Sequence, residues 1–283
     1  MIKIKSKYYE NTGDKIKCAL CPHYCVVSEN HAGLCRVRRN ISGELIAESY
    51  GQITSLALDP IEKKPLYHFR PGSKILSVGS YGCNMKCSFC QNHGISQFHA
   101  ESEYISPEKL AELSRKTPEN IGVAFTYNEP IIGIEYIFNV APLIRQNGQV
   151  VVLVSNGQIN PEPLTELLPL VDAWNIDIKA FTPKFYRKHG GNLETSKHTA
   201  EAAAQVSHVE VTTLIIPDEN DGEGEIAALS EWLANISKDI PLHLSRFFPR
   251  YKMTDKPPTP KETLFKLAET AKQRLKYVYI GNV

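Results

Sequence analysis

Short apolar runs alternate with longer amphipathic segments along the chain from about residue 73 to its end. The runs rich in β-branched residues predict strands at 74–79, 121–127, 150–154, 171–178, 208–216, 241–247 and 277–281. The amphipathic segments predict helices that begin at Pro107 and cover 131–146, 162–168, 196–206, 224–238 and 260–275. Such alternation favours parallel strands joined by right-handed crossovers. Six or seven units fall short of eight, so we expect an α/β fold with a partial (β/α)6 TIM-like barrel.

Two of the predicted helices begin with recognisable capping sequences. Ser106-Pro107-Glu108 places a hydroxyl at the N-cap, a proline at the first helical position and an acid in the first turn. Thr259 and Glu262 have the spacing of a capping box. We therefore expect side-chain caps at both helix starts.

The first 70 residues differ in character from the rest. We predict a small N-terminal cysteine-rich module with a linker over 1–70, and the barrel domain over 71–283. Short strands are expected at 43–51 and 53–58, around turns. The segment 59–69 carries charges and two prolines, which is typical of an extended linker lying on the larger domain.

Composition and charge mainly exclude certain partners and locations for this protein. The 283 residues are 42% hydrophobic, which suits one large core plus a small module. A net charge of +1 gives no electrostatic reason to expect a nucleic-acid partner or an anionic membrane. The chain is charged from Lys3 onward, and no stretch approaches the ~18 apolar residues of a membrane span. We expect a cytoplasmic protein.

Seven cysteines fall into two groups, and in a reducing compartment they indicate metal ligands or catalytic groups rather than disulfides. The first group, Cys18, Cys21, Cys25 and Cys35, has the spacing C-x2-C-x3-C-x9-C. Four soft ligands in a small segment favour a closed zinc site or an iron–sulfur site. His23 is a candidate substitute ligand or a polar neighbour, and unliganded thiols in a loop-rich segment are the remaining alternative.

The second group, Cys83, Cys87 and Cys90, forms a C-x3-C-x2-C loop directly after the apolar run 75–78. A [4Fe–4S] cluster usually takes four protein thiolates. Three thiolates would leave one iron open for a substrate or a second cofactor, as a catalytic zinc keeps one open position. A zinc site completed by His93 is the alternative from spacing alone.

Polar residues follow nearly every predicted strand. In barrels of parallel strands, chemistry collects at the carboxyl ends of the strands. Beside the cysteine loop, these positions are Thr126 to Pro130, Ser155 to Gly157, Asp177 to Lys179, Thr212 to Asp218, His243, Ser245, Arg246 and Asn282. Strand ends are polar in many proteins, but acids, amides and cations at equivalent places indicate one shared ligand site.

The cysteine loop, with Phe89 before its last cysteine, resembles the cluster motif of the radical S-adenosylmethionine (SAM) superfamily. In that superfamily the motif follows the first strand of a partial barrel. Glu129 and Pro130 are similar to the end of a glycine-glycine-glutamate-proline element after the second strand. This chain departs from that element, because Tyr127 and Asn128 replace the glycines.

Later motifs extend the resemblance. Ser155 to Gly157 is similar to a threonine-asparagine-glycine element, and Asp177 with Lys179 to the aspartate-x-lysine element of glycyl-radical-enzyme activases. Most of the chain resembles the radical enzyme of the AmmeMemoRadiSam system, which is similar to pyruvate formate-lyase-activating enzyme. The segments that carry this resemblance are 18–40, 59–69, the cysteine loop through Asn92, 126–130, 245–253 and 277–282.

The resemblance implies a radical SAM oxidoreductase in which Cys83, Cys87 and Cys90 hold a [4Fe–4S] cluster. The fourth iron chelates SAM, and an external one-electron donor such as flavodoxin or ferredoxin drives its cleavage to a 5′-deoxyadenosyl radical, which abstracts hydrogen from a substrate. The SAM contacts implied are Phe89, Asn128, Glu129, Asn156, Asp177 and Lys179. His243 and Arg246 are candidate contacts to SAM or to the substrate.

The substrate stays open at this point. One candidate is a glycine of a partner enzyme, which would make the protein a glycyl-radical-enzyme activase. The other is a small molecule or a different protein site. A zinc-stapled scaffold that binds partners through its N-terminal module belongs to another class, and the acids, amides and cations at the strand ends disfavour it, since a scaffold does not need them.

Overall fold

The computed structural model describes residues 4–283, and its N-terminal part consists of small antiparallel pieces. One sheet contains β1 (Tyr9–Thr12), β2 (Lys15–Cys18) and β3 (Val26–Val27), and one hairpin contains β4 (Arg38–Ile41) and β5 (Glu44–Ala47). A third pair joins β6 (Gln52–Ile53) to the distant β9 (Glu103–Tyr104).

An eight-stranded sheet forms the centre of the fold. Its strands are β7 (Ser55–Pro60), β8 (Lys74–Gly79), β10 (Asn120–Phe125), β11 (Val150–Ser155), β12 (Ala173–Asp177), β13 (His208–Ile215), β14 (Leu242–Arg246) and β15 (Val278–Gly281). Their order is β15-β14-β13-β12-β11-β10-β8-β7, and only β7 runs antiparallel to its neighbour. The seven parallel strands lie close to their predicted positions, which confirms the α/β class and the partial TIM-like barrel.

Helices connect the parallel strands. They are α1 (His93–Ser96), α2 (Pro107–Lys116), α3 (Ile134–Gln146), α4 (Pro161–Leu167), α5 (Pro183–Lys188), α6 (Leu193–Ala204), α7 (Glu223–Ile236) and α8 (Lys261–Lys272), with 3-10 helices at Ile61–Lys63, Pro130–Gly133 and Leu168–Leu170. The six predicted helices are present, and α1 and α5 are short additions to the prediction. Within residues 4–283, no helix has the length and apolar content that a membrane crossing needs.

The strand β11 shows why these sequences form a buried parallel sheet. Its sequence Val-Val-Val-Leu-Val-Ser is β-branched, which suits the pleated conformation. Val152 packs with Ala124 and Ile75 in one cluster, whereas Val151 and Leu153 belong to the larger core shared with the helices. Both faces of the strand are therefore buried, as expected where helices cover a parallel sheet.

The two predicted helix caps have different outcomes. The Ser106 hydroxyl accepts a hydrogen bond from the Lys109 amide at 3.2 Å, which confirms the cap of α2. The capping box at Thr259 is wrong, since no side chain within the described residues caps α8. The Thr259 hydroxyl instead donates to the Ile215 carbonyl at 2.6 Å, and this bond ties the start of α8 to the end of β13.

The predicted linker lies on the large sheet. Leu66 packs against strand residues of β8 to β11. The Pro65 carbonyl accepts a hydrogen bond from Asn175 at 2.9 Å, and the His68 amide donates to Glu210 at 2.7 Å. Because β7 precedes residue 70 and yet belongs to the sheet, the division into 1–70 and 71–283 stays a prediction.

Candidate active site

A cavity of about 460 Å³ opens at the carboxyl ends of the parallel strands, where the sequence places its polar motifs. Its wall contains all nine residues predicted for the cluster and SAM, namely Cys83, Cys87, Phe89, Cys90, Asn128, Glu129, Asn156, Asp177 and Lys179. These residues follow four successive strands, β8, β10, β11 and β12, because parallel strands bring their carboxyl ends to one edge.

The cysteine loop after β8 presents its three thiols to this cavity. Burial raises the pKa of Cys83 well above its usual range, and the nearby Glu129 charge adds to the shift. Burial likewise raises the pKa of Cys87 to about 12, against the opposing charge of Lys179. A bare thiol here stays protonated at neutral pH, so the thiolate form needs a cationic partner. Three thiols on one wall of a roomy cavity fit a [4Fe–4S] cluster as that partner.

Packing behind the loop fixes its shape. The Phe89 ring is buried and packs edge-on against His189, with the ring centroids 5.1 Å apart. The Lys86 amide donates to the His189 carbonyl at 2.8 Å. The thiol of Cys90 lies 3.1 Å from the Ser96 hydroxyl of α1. The loop therefore rests on α1 and on His189 at the end of α5, and these contacts hold its backbone in place.

Glu129 is a buried carboxylate held between two strand ends. One oxygen accepts from the Ser155 hydroxyl at 2.8 Å and the Ile131 amide at 3.1 Å. The other accepts from the Asn156 amide at 2.8 Å. Burial raises the pKa of Glu129 to about 7, although these three donors oppose the shift. A carboxylate accepts about four hydrogen bonds, so it can still accept one from a ligand amino group.

Asn156 lies against the cysteine loop. Its side-chain amide donates to Asn84 Oδ1 at 2.9 Å and stands 3.7 Å from the Cys83 sulfur. Its side-chain oxygen accepts from the Gln158 amide at 2.9 Å. Asn156 therefore links the end of β11 to the loop after β8, next to the first of the three thiols.

Asp177 and Lys179 form an ion pair near Cys87, with Nζ and Oδ2 2.6 Å apart. Burial disfavours the Lys179 ammonium, yet the charge of Asp177 and its hydrogen bond with Lys179 outweigh this effect and hold the pKa of Lys179 above its usual range. The cavity consequently has a permanent cation beside Cys87 and a buried acid, Glu129, beside Cys83.

Of the two residues that replace glycines, Tyr127 keeps a glycine-like backbone. Tyr127 has a φ of +71°, a left-handed conformation that bulky residues rarely adopt. Its hydroxyl donates to Asp59 at 2.7 Å, and Lys64 Nζ lies 4.6 Å from its ring centroid. Asn128 accepts from the Ser80 amide at 3.0 Å through its side chain. Side-chain contacts thus stabilise a conformation that glycine adopts freely.

Two charged cavity residues, Lys63 and Lys64, are not predicted from the sequence. Both come from the linker and both pair with Asp59, at 3.2 and 2.8 Å. The run of charges between Pro60 and Pro65 is the signal that the sequence offers, and it predicts an extended linker lying on the larger domain rather than part of a cavity wall.

Three other predicted residues lie elsewhere. Within residues 4–283, His243 and Arg246 are not part of the cavity wall. His243 is buried and bonds Glu210 at 2.6 Å, and Arg246 donates to the Thr259 carbonyl at 2.8 Å. Their contacts to SAM or substrate stay a prediction. His93, the alternative zinc ligand, stacks on Tyr251 and contacts the Cys90 carbonyl at 3.2 Å.

The fold and the cavity together define the class of this protein, which is a barrel of parallel strands that binds a cofactor. The model of the Radical SAM superfamily matches residues 77–229, more than half of the chain. The chain belongs to this superfamily, whose members are enzymes that use a [4Fe–4S] cluster and SAM. They need an electron donor and a substrate.

Several known proteins are similar to this chain in sequence or in fold. The uncharacterized protein MJ0808 of Methanocaldococcus jannaschii is 41% identical over 99% of this chain and 85% of its own length. A domain of pyruvate-formate lyase-activating enzyme from Bacteroides vulgatus superimposes with a TM-score of 0.50 at 16% identity, covering 57% of this chain and 99% of that domain. SuiB of Streptococcus suis bound to SAM gives 0.56 at 12% identity, covering 71% of this chain and 48% of SuiB.

These structural likenesses show the fold. The matched model describes the superfamily as a whole, so membership of the AmmeMemoRadiSam system stays a prediction.

Proposed function

We propose that this radical SAM enzyme binds its cluster through Cys83, Cys87 and Cys90 and abstracts hydrogen from a glycine of a partner enzyme. The observation that carries the cofactor site is the shared cavity, in which three thiols face a buried acid, an amide and a lysine. When bound, the cluster and SAM supply a 5′-deoxyadenosyl radical capable of this abstraction.

The residues around the thiols suit the methionine end of SAM. Glu129 has one acceptor position left for its amino group. Lys179 supplies a cation for its carboxylate, and Asp177 orients that cation at 2.6 Å. Asn156 and Asn128 offer neutral amides for ribose or carboxylate oxygens, and the Phe89 ring forms an apolar part of the wall.

Two features support a glycyl target. The aspartate-x-lysine element at Asp177 and Lys179 resembles that of glycyl-radical-enzyme activases, and the fold is shared with a domain of pyruvate-formate lyase-activating enzyme. Lys63 and Lys64 line the same cavity as the three thiols, and we propose that the substrate binds there. We propose flavodoxin or ferredoxin as the electron donor.

The cofactor site is tested with Cys87→Ala. Anaerobically reconstituted protein, supplied with SAM and dithionite, should form 5′-deoxyadenosine, and Cys87→Ala should form none because a cluster ligand is missing. Ser88→Ala is the matched control in the same loop, since its buried hydroxyl has no hydrogen-bond partner within residues 4–283. Production of 5′-deoxyadenosine by Cys87→Ala at the native rate would refute the ligand assignment.

The target is tested with deuterium. A partner protein labelled at glycine Cα should transfer deuterium to 5′-deoxyadenosine and acquire a glycyl radical signal in electron paramagnetic resonance. Label transfer only from a small molecule, or from another protein position, would overturn the glycyl assignment and leave the cofactor site standing.

A further inference from the structure

The four N-terminal cysteines line one small enclosed cavity. Cys18 ends β2 and Cys25 precedes β3, and the Cys18 amide donates to the Cys25 carbonyl at 2.9 Å. All four thiols face a cavity of about 10 Å³ whose other walls include Leu20, Leu34 and Ile132. The four cysteines therefore line one closed space, and the chemistry at the barrel cavity does not use them.

One backbone amide is directed at this set of sulfurs, since the Leu34 amide donates to the Cys25 sulfur at 3.4 Å. Burial raises the pKa of Cys21 to about 12 and that of Cys35 to about 11. Cysteine binds metal as the thiolate, so a bound ion would displace these protons.

We propose that Cys18, Cys21, Cys25 and Cys35 bind a single zinc ion that fixes the N-terminal module against the cysteine loop of the barrel. Four thiolates form a closed tetrahedral set of the structural zinc type. This space of about 10 Å³ is far smaller than the cavity of about 460 Å³ beside the barrel thiols, which favours a single ion over a multi-iron cluster. His23 is engaged elsewhere, because its Nε2 lies 2.6 Å from the Asn84 carbonyl.

Closure of the site requires small side-chain movements. As placed, no three Cys, His, Asp or Glu side chains within residues 4–283 stand close enough to hold one ion. The four cysteines nevertheless line one cavity. Rotation of their side chains about the Cα–Cβ bonds would bring the four sulfurs to a common ion.

The module touches the cysteine loop directly. His23 contacts the carbonyl of Asn84, which lies between Cys83 and Cys87 in the sequence. A Cβ built on Gly82 would lie 2.8 Å from the Cys35 carbonyl. A bound zinc ion would therefore hold the backbone against which the three barrel thiols rest.

Metal analysis tests this inference without the proposed catalytic cluster. In full-length protein carrying Cys83→Ala, Cys87→Ala and Cys90→Ala, elemental analysis should find about one zinc per chain. Adding Cys21→Ser and Cys35→Ser should reduce zinc at least tenfold. Absence of zinc from the triple variant, or iron with acid-labile sulfide in its place, would overturn the proposal, whatever the fate of the proposed function.

Two measurements cover the case in which these variants fail to fold. X-ray absorption at the zinc edge of the unmodified protein should show four sulfur ligands at about 2.3 Å, and nitrogen or oxygen ligands would contradict the assignment. Hydrogen–deuterium exchange over residues 81–92 should increase in Cys21→Ser, and unchanged exchange would exclude the bracing role.

Discussion

The carboxylate of Glu129 accepts a hydrogen bond from the backbone amide of Asn156 at 2.8 Å, which joins the end of β10 to the end of β11 beside the three barrel thiols. This bond is made inside a buried site that raises the pKa of Glu129 to about 7 from an ordinary value of 4.5. The folded protein thus binds this proton more tightly than the unfolded chain does.

Glu129→Gln should therefore alter the pH dependence of stability. A raised carboxyl pKa contributes stability that is fully present below pH 4.5 and is lost as the pH rises through 7. Between these values the cluster-free protein should lose roughly 3 kcal/mol of unfolding free energy relative to Glu129→Gln. Urea unfolding at several pH values measures the difference. Glu231→Gln, at an exposed position of α7, is the control, and parallel pH profiles for Glu129→Gln and the native protein would contradict the assignment.

Lys179→Met should weaken SAM binding. The variant removes the cation beside Cys87 and leaves Asp177 without its partner 2.6 Å away. A charge-assisted hydrogen bond contributes about 1.5–3 kcal/mol, so the Kd for SAM should rise roughly 10- to 100-fold. Equilibrium dialysis on reconstituted protein measures it, and Lys179→Arg should recover part of the affinity. Lys188→Met, in an exposed pair with Glu219, should bind normally. Equal affinity for Lys179→Met and Lys188→Met would exclude the carboxylate role.

Much of this site follows from sequence because the governing rules are local. β-branched runs such as 150–154 predict strands, and parallel strands bring the residues that follow them to one edge. Cys83 to Cys90, Glu129, Asn156 and Lys179 could be grouped on that basis alone. Their individual hydrogen bonds could not, since these depend on the distances between strands.

The errors arise where a side chain serves a distant contact. Thr259 has the spacing of a capping box, but its hydroxyl is used to hold the end of β13. His243 and Ser245 share one face of β14, and Ser245 lines the cavity while His243, two residues deeper, bonds Glu210. The sequence identifies where a strand ends, but it does not show which residues before that end still line the cavity. Lys64 was missed because nothing local shows that a charged linker enters a cavity.

Asp59→Asn should destabilise the fold by leaving a buried cation without its partner. Lys64 is only 2% exposed and pairs with Asp59 at 2.8 Å, and the Tyr127 hydroxyl donates to the same carboxylate. Removing one partner of a buried pair costs about 3–5 kcal/mol. Urea unfolding should show this loss, and the double variant Asp59→Asn, Lys64→Met should recover a substantial part. Asp239→Asn, in an exposed pair with Lys276, should change stability by less than about 0.5 kcal/mol. No recovery in the double variant would mean that the cost has another source.

Gly82→Ala should separate the N-terminal module from the barrel. Gly82 has a φ of +88°, and a Cβ there would lie 2.7 Å from Val37 Cγ1 and 2.9 Å from Ile132 Cδ1. The left-handed backbone alone costs an L-residue about 1–2 kcal/mol. Val37 belongs to the module and Ile132 to the 3-10 helix after Glu129, and both are buried, so a Cβ at Gly82 would have to displace the module or that helix. We expect a loss of more than about 2 kcal/mol in unfolding free energy, together with faster proteolysis before residue 54. Gly94→Ala is the matched control in α1, where a Cβ meets nothing within 4 Å and helix propensity favours alanine. Equal stability and equal proteolysis of the two variants would show that the module does not press on the cysteine loop at Gly82.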